Sequence, residues 1–208
     1  MVPLQVSYLA QAKDVVTQCG RELALGDDIR MFQLFVSSDS NDSMVREECR
    51  ITDRMALFSP NERFVLSGAY FLPFDLYNQA VIDLLYEQAV HDIRCGRYFH
   101  CDQDYCVLVS LVLQKKMQDF MGDNRLLWYE HSLNVTCSEE IQGLLPPHLN
   151  TPEKRMVCEA EVLQLYSKLR GYTPQECMLS LNEFMRAWDD YGVTHFYCDV
   201  AITLTVHS

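Results

Sequence analysis

No stretch of the chain stays apolar for the roughly 20 residues that a membrane-spanning helix needs. The N-terminus also lacks a basic segment followed by an apolar run, so no secretory signal is expected and the cytosol is the expected compartment. Positive charge is scarce: 17 Lys and Arg stand against 29 Asp and Glu, a formal net charge of -12. A surface of that sign repels phosphate, which argues against nucleic acid and leaves anionic membrane at most a weak partner. Basic or apolar protein partners remain. Missing too are a phosphate-cradling glycine loop, Gly-x-Ser-x-Gly and His-Glu-x-x-His, the motifs whose spacing positions catalytic groups. No enzyme activity, cofactor or resident metal is therefore expected. Internal repeats and low-complexity linkers are absent as well, so the 208 residues are expected to form one or two compact units. The nine cysteines show no Cys-x-x-Cys pairing, and Cys106, Cys158 and Cys177 fall within helical apolar patterns. They read as reduced thiols packed as small hydrophobes.

What is present is a globular composition, 49% hydrophobic and 22% charged. The acid excess lies mainly in residues 74–192, which hold 10 Lys and Arg against 18 Asp and Glu, compared with 7 against 10 in residues 1–73. Leu4 to Tyr8 alternates like a short strand. Ala12 to Leu25 has helical spacing, with Val15, Val16, Cys19 and Leu23 inward and Gly26 as the stop. Phe32, Leu34 and Val36 predict a second strand, Ser37 to Ser43 a polar loop, and Phe64 to Leu72 a further strand ahead of Pro73.

From Phe74 to Gly192 the pattern is helical. Ile82, Leu85, Tyr86, Ala89 and Ile93 line one helix that Gly96 stops, and Asp102 is placed to cap the next. That next helix, Tyr105 to about Phe120, is apolar nearly all round through Val107, Leu108, Val109, Leu111, Val112 and Leu113, so it must lie inside other helices. Leu126 to Leu145 gives no clear signal. Thr151-Pro152-Glu153 opens a helix ended by Gly171, and Thr173-Pro174-Gln175-Glu176 is a capping box. Behind it, Cys177, Leu181, Phe184, Trp188 and Tyr191 form one apolar stripe. Phe196 to Val206 alternates as a half-buried strand, and an isolated strand at Ser208 suggests a piece of a longer chain.

Several of these motifs resemble those of a known family. Tyr86-x-Gln88, Asp92-x-x-x-Gly96-Arg97 and the run ending in Leu113-Gln114 resemble the middle lobe of a FERM domain. Further on, Gly171-Tyr172-Thr173-Pro174-Gln175-Glu176-Cys177 and Tyr191-Gly192-Val193-Thr194-His195-Phe196 resemble the family's Gly-x-(Ser/Thr)-Pro-x-Glu and Tyr-Gly-Val-x-x-Phe signatures. The resemblance implies an α+β fold in three parts. Residues 1–73 would be a partial ubiquitin-like lobe without its opening strand and the least stable part. Residues 74–192 would be an acyl-CoA-binding-protein-like helical bundle, and residues 193–208 the first strand of a truncated PH/PTB-like lobe. It also implies a non-catalytic interaction module of a scaffold or adaptor near the plasma membrane or cell cortex. Its partners would be cytoplasmic tails of membrane proteins or other adaptors. A helical acyl-chain or lipid carrier, or a regulatory module of a longer enzyme, are the alternatives. The chain departs from the family at Gln118-Asp119-Phe120, where many members have Gly-Asp-Tyr, and at Trp188-Asp189-Asp190.

Chemistry-bearing residues are few. His91, Cys95, His100, Cys101 and Cys106 have metal-ligand types but not the paired spacing of zinc sites, and each has a plain role as a surface, corner or core residue. Glu139-Glu140 and Asp189-Asp190 read as solvated acids rather than a general acid and base. Lys115-Lys116 and Lys154-Arg155 are basic doublets on helix faces, while Phe184, Trp188, Met178 and Met185 read as core.

Overall fold

The computed structural model describes residues 7–38, 42–68, 78–98, 100–119 and 131–188. Helix α1 (Ala12–Glu22) leads through a 3-10 turn (Gly26–Met31) into strand β1 (Phe32–Ser37), followed by β2 (Asp42–Met44), a short α2 (Ile51–Met55) and β3 (Arg63–Gly68). Five helices come next: α3 (Gln79–Cys95), α4 (Asp102–Met117), α5 (His131–Leu144), α6 (Pro152–Lys168) and α7 (Pro174–Arg186). Helices together with a small antiparallel sheet agree with the expected α+β class.

The sheet runs in the order β2-β1-β3, with Phe35 opposite Met44 on one side and Val65 on the other. Phe32, Leu34 and Val36 alternate on β1 and are buried, as period-two patterning demands. Leu34 and Val36 pack with Ala12, Val15, Val45 and Ile51. Gly20 lets α1 sit tightly against the 3-10 turn, because a Cβ there would lie 2.6 Å from Ile29 Cγ1. Phe32 turns to a second cluster, with Leu25, Met31, Val81 and Leu85, that ties the sheet region to α3. Asn78 reinforces the tie. Its Oδ1 accepts from the Ala80 N–H to cap α3, and its Nδ2 donates to Asp28 Oδ2 at 3.0 Å.

The main core surrounds α4, which packs against α3, α5, α6 and α7. Leu108, Val109 and Leu113 are fully buried there with Ile141, Leu149, Val162 and Leu181. The all-round apolar pattern is thus met by enclosure. Two polar side chains go inside with it: Ser110 Oγ donates to the Val107 carbonyl at 2.6 Å, and Gln114 bonds across the core boundary.

Several boundaries differ from expectation. Tyr8 lies in a turn rather than a strand, and the rest of the Leu4 to Tyr8 segment falls mostly outside the described residues. Helix α1 ends at Glu22, ahead of Gly26, because Leu25 N–H closes onto the Gly20 carbonyl and Ala24 adopts φ 54°. Asp42 and Ser43, read as the end of the loop, belong instead to strand β2 (Asp42–Met44): backbone pairing to β1 suffices at a sheet edge without apolar alternation. Cys101, not Asp102, occupies the α4 N-cap position, without a side-chain capping bond, and Asp102 instead pairs with Lys154 Nζ at 2.8 Å. The ambiguous stretch before Leu145 contains α5. The capping box at Thr173 and Glu176 forms as read, and Met178, Met185 and Trp188 are buried. Phe196 to Val206 lies outside the described residues, as do Asp189-Asp190.

This packing sets two expectations for stability. Leu108→Ala should cost about 3 kcal/mol by cavity formation, measured by urea denaturation. Gly20→Ala should cost about 1 to 3 kcal/mol by forcing α1 off the Ile29 side chain, read as a shift in the same transition.

Candidate functional site

Two corners of the helical region concentrate its polar chemistry. At the first, α3 ends on Gly96, whose φ of 60° suits glycine and whose missing Cβ leaves room for Pro146, 3.1 Å from where that atom would stand. Asp92, one turn back and only 1% exposed, organises the chain as it leaves the helix. Its backbone carbonyl accepts the Arg97 N–H at 3.0 Å, and its carboxylate accepts Arg97 Nη1 at 2.9 Å and the Tyr98 hydroxyl at 3.2 Å. Burial pushes the Asp92 carboxyl up, and His91 and Tyr98 oppose that shift by favouring the carboxylate. Tyr105 of α4 donates its hydroxyl to the Tyr98 carbonyl, so the two helices are locked across the corner.

Aromatic rings cover the same end. His100 stacks on Trp188 at 3.9 Å with planes 12° apart, and Tyr98 meets the same indole edge-on at 5.7 Å.

The second corner lies just past α4. Gln118 carries φ 62° and ψ -158°, a region that L side chains rarely adopt. Three contacts hold it. Tyr166 donates its hydroxyl to the Gln118 carbonyl at 2.6 Å, and Asp119 Oδ1 accepts from Gln114 Nε2 at 2.9 Å and from the Gly171 N–H at 2.7 Å. Those last two bonds hold the Asp119 carboxyl below its usual range, the Gly171 amide contributing most. Gln114 Nε2 also reaches the Tyr172 carbonyl, so one glutamine spans α4 and the α6–α7 turn.

The residues singled out from sequence separate accordingly. His91 and Cys95 come together on α3, with Nε2 and Sγ 3.7 Å apart. His100 faces Trp188 and Asp104, Cys101 is exposed at the α4 N-cap, and Cys106 is buried. Among the described residues no three His, Cys, Asp or Glu side chains converge as metal ligands. Glu140 pairs with Lys116 at 2.6 Å, and Lys115 lies 4.1 Å from the Tyr86 ring centroid. Arg155 donates to Gln142 at 3.3 Å, so both basic doublets are engaged within the bundle. Sequence reasoning did not anticipate the Asp119 anchor, although the departure at Gln118-Asp119-Phe120 marks its position.

A family model described as the FERM central domain matches residues 73–196, more than half of the chain. The chain belongs to the FERM family. Its fold is similar to that of solved FERM structures at low identity. The MyTH4-FERM MF2 domain of Dictyostelium discoideum myosin VII, in a mutant form, superposes with a TM-score of 0.65 at 16% identity, over 87% of this chain and 38% of that one. Drosophila Merlin, solved as a complex of its FERM and C-terminal domains, gives 0.64 at 16% identity over 90% and 62%. The C-terminal MyTH4-FERM domain of human myosin 7b, in complex with the harmonin-a PDZ3 domain, gives 0.57 at 14% over 91% and 40%. This chain therefore spans less than two thirds of each of these relatives. Comparison with curated proteins yields no match. Among the described residues, no helix is long and apolar enough to cross a membrane.

The strained backbone sets one expectation: Gln118→Gly should raise stability by about 1 kcal/mol, strain relief outweighing the added chain entropy of glycine. Thermal unfolding checks it. A second concerns acid. Because the folded Asp119 carboxyl titrates below its unfolded value of 3.8, its contribution is present above that pH and is lost as the pH falls through the lower folded value. Asp119→Ala should therefore flatten the acid limb of the stability curve, measured by circular dichroism between neutral and strongly acidic pH.

Proposed function

We propose that this chain is a non-catalytic interaction module of a scaffold or adaptor, joining cytoplasmic tails of membrane proteins to cytoskeletal or signalling proteins. The observation that carries this reading is the FERM central domain match across the helical region, joined to a fold likeness with relatives solved in protein complexes. By the family resemblance residues 1–73 would be a partial ubiquitin-like lobe and 74–192 an acyl-CoA-binding-protein-like bundle, while 193–208, outside the described residues, carry the alternating sequence expected of the first strand of a truncated PH/PTB-like lobe. Filled packing around α4 supports an adaptor over an acyl-chain carrier, since Leu108, Val109, Leu113, Ile141 and Val162 occupy the bundle interior. The net charge of -12 favours partners with basic segments. The module acts in the cytoplasm at the membrane face, bound there through partner proteins rather than by strong lipid contact of its own.

The test is fluorescence anisotropy with a panel of basic and neutral cytoplasmic-tail peptides. Saturable binding with Kd on the order of micromolar, weakening as salt rises, is the expected result. Failure of all peptides, together with a stoichiometric acyl ligand in native mass spectrometry, would replace the adaptor by the carrier.

A further inference from the structure

The Asp92 corner holds a constellation that bundle packing does not require. Cys95 and His91 are one helical turn apart on α3, so their side chains share a face, and the sulfur lies 3.7 Å from Nε2 and 3.9 Å from Nδ1 of the imidazole. His91 Nδ1 also lies 3.5 Å from Asp92 Oδ1, and that carboxylate is itself held by Arg97 and Tyr98. A thiol, an imidazole within reach of it, and a buried carboxylate that orients the imidazole are the three parts of an activated sulfur nucleophile. Cys95 is exposed and His91 is 42% exposed, so small reagents can reach the pair.

We propose that Cys95 is a peroxide-responsive thiol, paired with His91 on a footing supplied by Asp92, and that it is capped reversibly by glutathione. In the first step the sulfur attacks one peroxide oxygen and the O–O bond breaks. Cys95 becomes a sulfenic acid, and the other oxygen leaves as hydroxide, which takes up a proton to give water. In the second, a glutathione thiolate attacks the sulfenic sulfur and displaces hydroxide, leaving a mixed disulfide. Sulfur is oxidised and peroxide reduced; glutathione supplies the second sulfur.

Charge around the pair favours this arrangement. Asp92 and then Cys95 push His91 up to about 10, so at neutral pH the imidazole beside the sulfur is protonated. Arg97 Nη1 shares Asp92 Oδ1 with the imidazole, Tyr98 donates to Oδ2, and His148 approaches the adjoining Gly96 from the segment between α5 and α6. The C-terminal end of the α3 dipole opposes negative charge on sulfur, which makes the imidazole the essential partner. Other thiols are disfavoured. Cys106, Cys158 and Cys177 are buried, and burial pushes each of them up.

Cys101, exposed at the α4 end of the same corner, is the internal comparison. The full chain is labelled with iodoacetamide at neutral pH and each cysteine tracked by peptide mass spectrometry. Cys95 should react roughly ten-fold faster than Cys101, and His91→Gln should remove that advantage while leaving Cys101 labelling and the helical circular dichroism unchanged. Hydrogen peroxide and then glutathione should add one dithiothreitol-reversible glutathione at Cys95 and none in Cys95→Ser. Equal rates at the two cysteines, or a Cys95 rate indifferent to His91→Gln in a folded variant, would overturn the pairing. Fast alkylation without mixed-disulfide formation would overturn the peroxide assignment.

Discussion

A helix that is apolar around its whole circumference has no stable position at a protein surface, and α4 is such a helix. Val107, Leu108, Val109, Leu111, Val112 and Leu113 leave no polar face to offer water. The other four long helices are arranged as a consequence. Enclosure by α3, α5, α6 and α7 satisfies α4, and each encloser then needs only one apolar stripe. With the middle of the helix committed to van der Waals contact, hydrogen-bonded specificity falls to its ends. Asp92 orders the entry corner through Arg97 and Tyr98, and Asp119 orders the exit through Gln114 and Gly171.

Periodicity carried most of this in the sequence. The stripes on α3 and α7, the glycine stop at Gly96 and the capping box at Thr173 are local signals, and local signals survive into the fold because tertiary contacts agree with them. The elements that local signals missed are fixed by partners distant in sequence. Strand β2 has three residues and no alternation; it exists because β1 offers an edge. Helix α2 has five residues, too few for a period to register, and depends on Ile51 reaching the Ala12 and Val15 cluster. Asp102 had the right chemistry for a cap but found Lys154, 52 residues on, a better partner.

The candidate site was legible to a different degree. Helical geometry alone puts His91 beside Cys95, because a separation of four residues is one turn. Nothing local says that His100 stacks on Trp188 or that Cys106 turns inward, and these contacts divide what looked like one group of metal-ligand residues into four environments. The motif Asp-x-x-x-Gly-Arg gains a physical meaning as well. Aspartate supplies both a backbone and a side-chain acceptor to the arginine, and glycine supplies the left-handed residue that brings them together.

The Asp119 junction also has a mechanical side. Its carboxylate grips the amide of Gly171 while Gln114 holds the next carbonyl along, at Tyr172, so the α6–α7 turn is fastened to the end of α4 by several short bonds acting together. A load pulling on that turn would be shared among these bonds and passed lengthwise into the most deeply enclosed rod of the molecule. The tether would yield as a unit, rather than peel open one bond at a time.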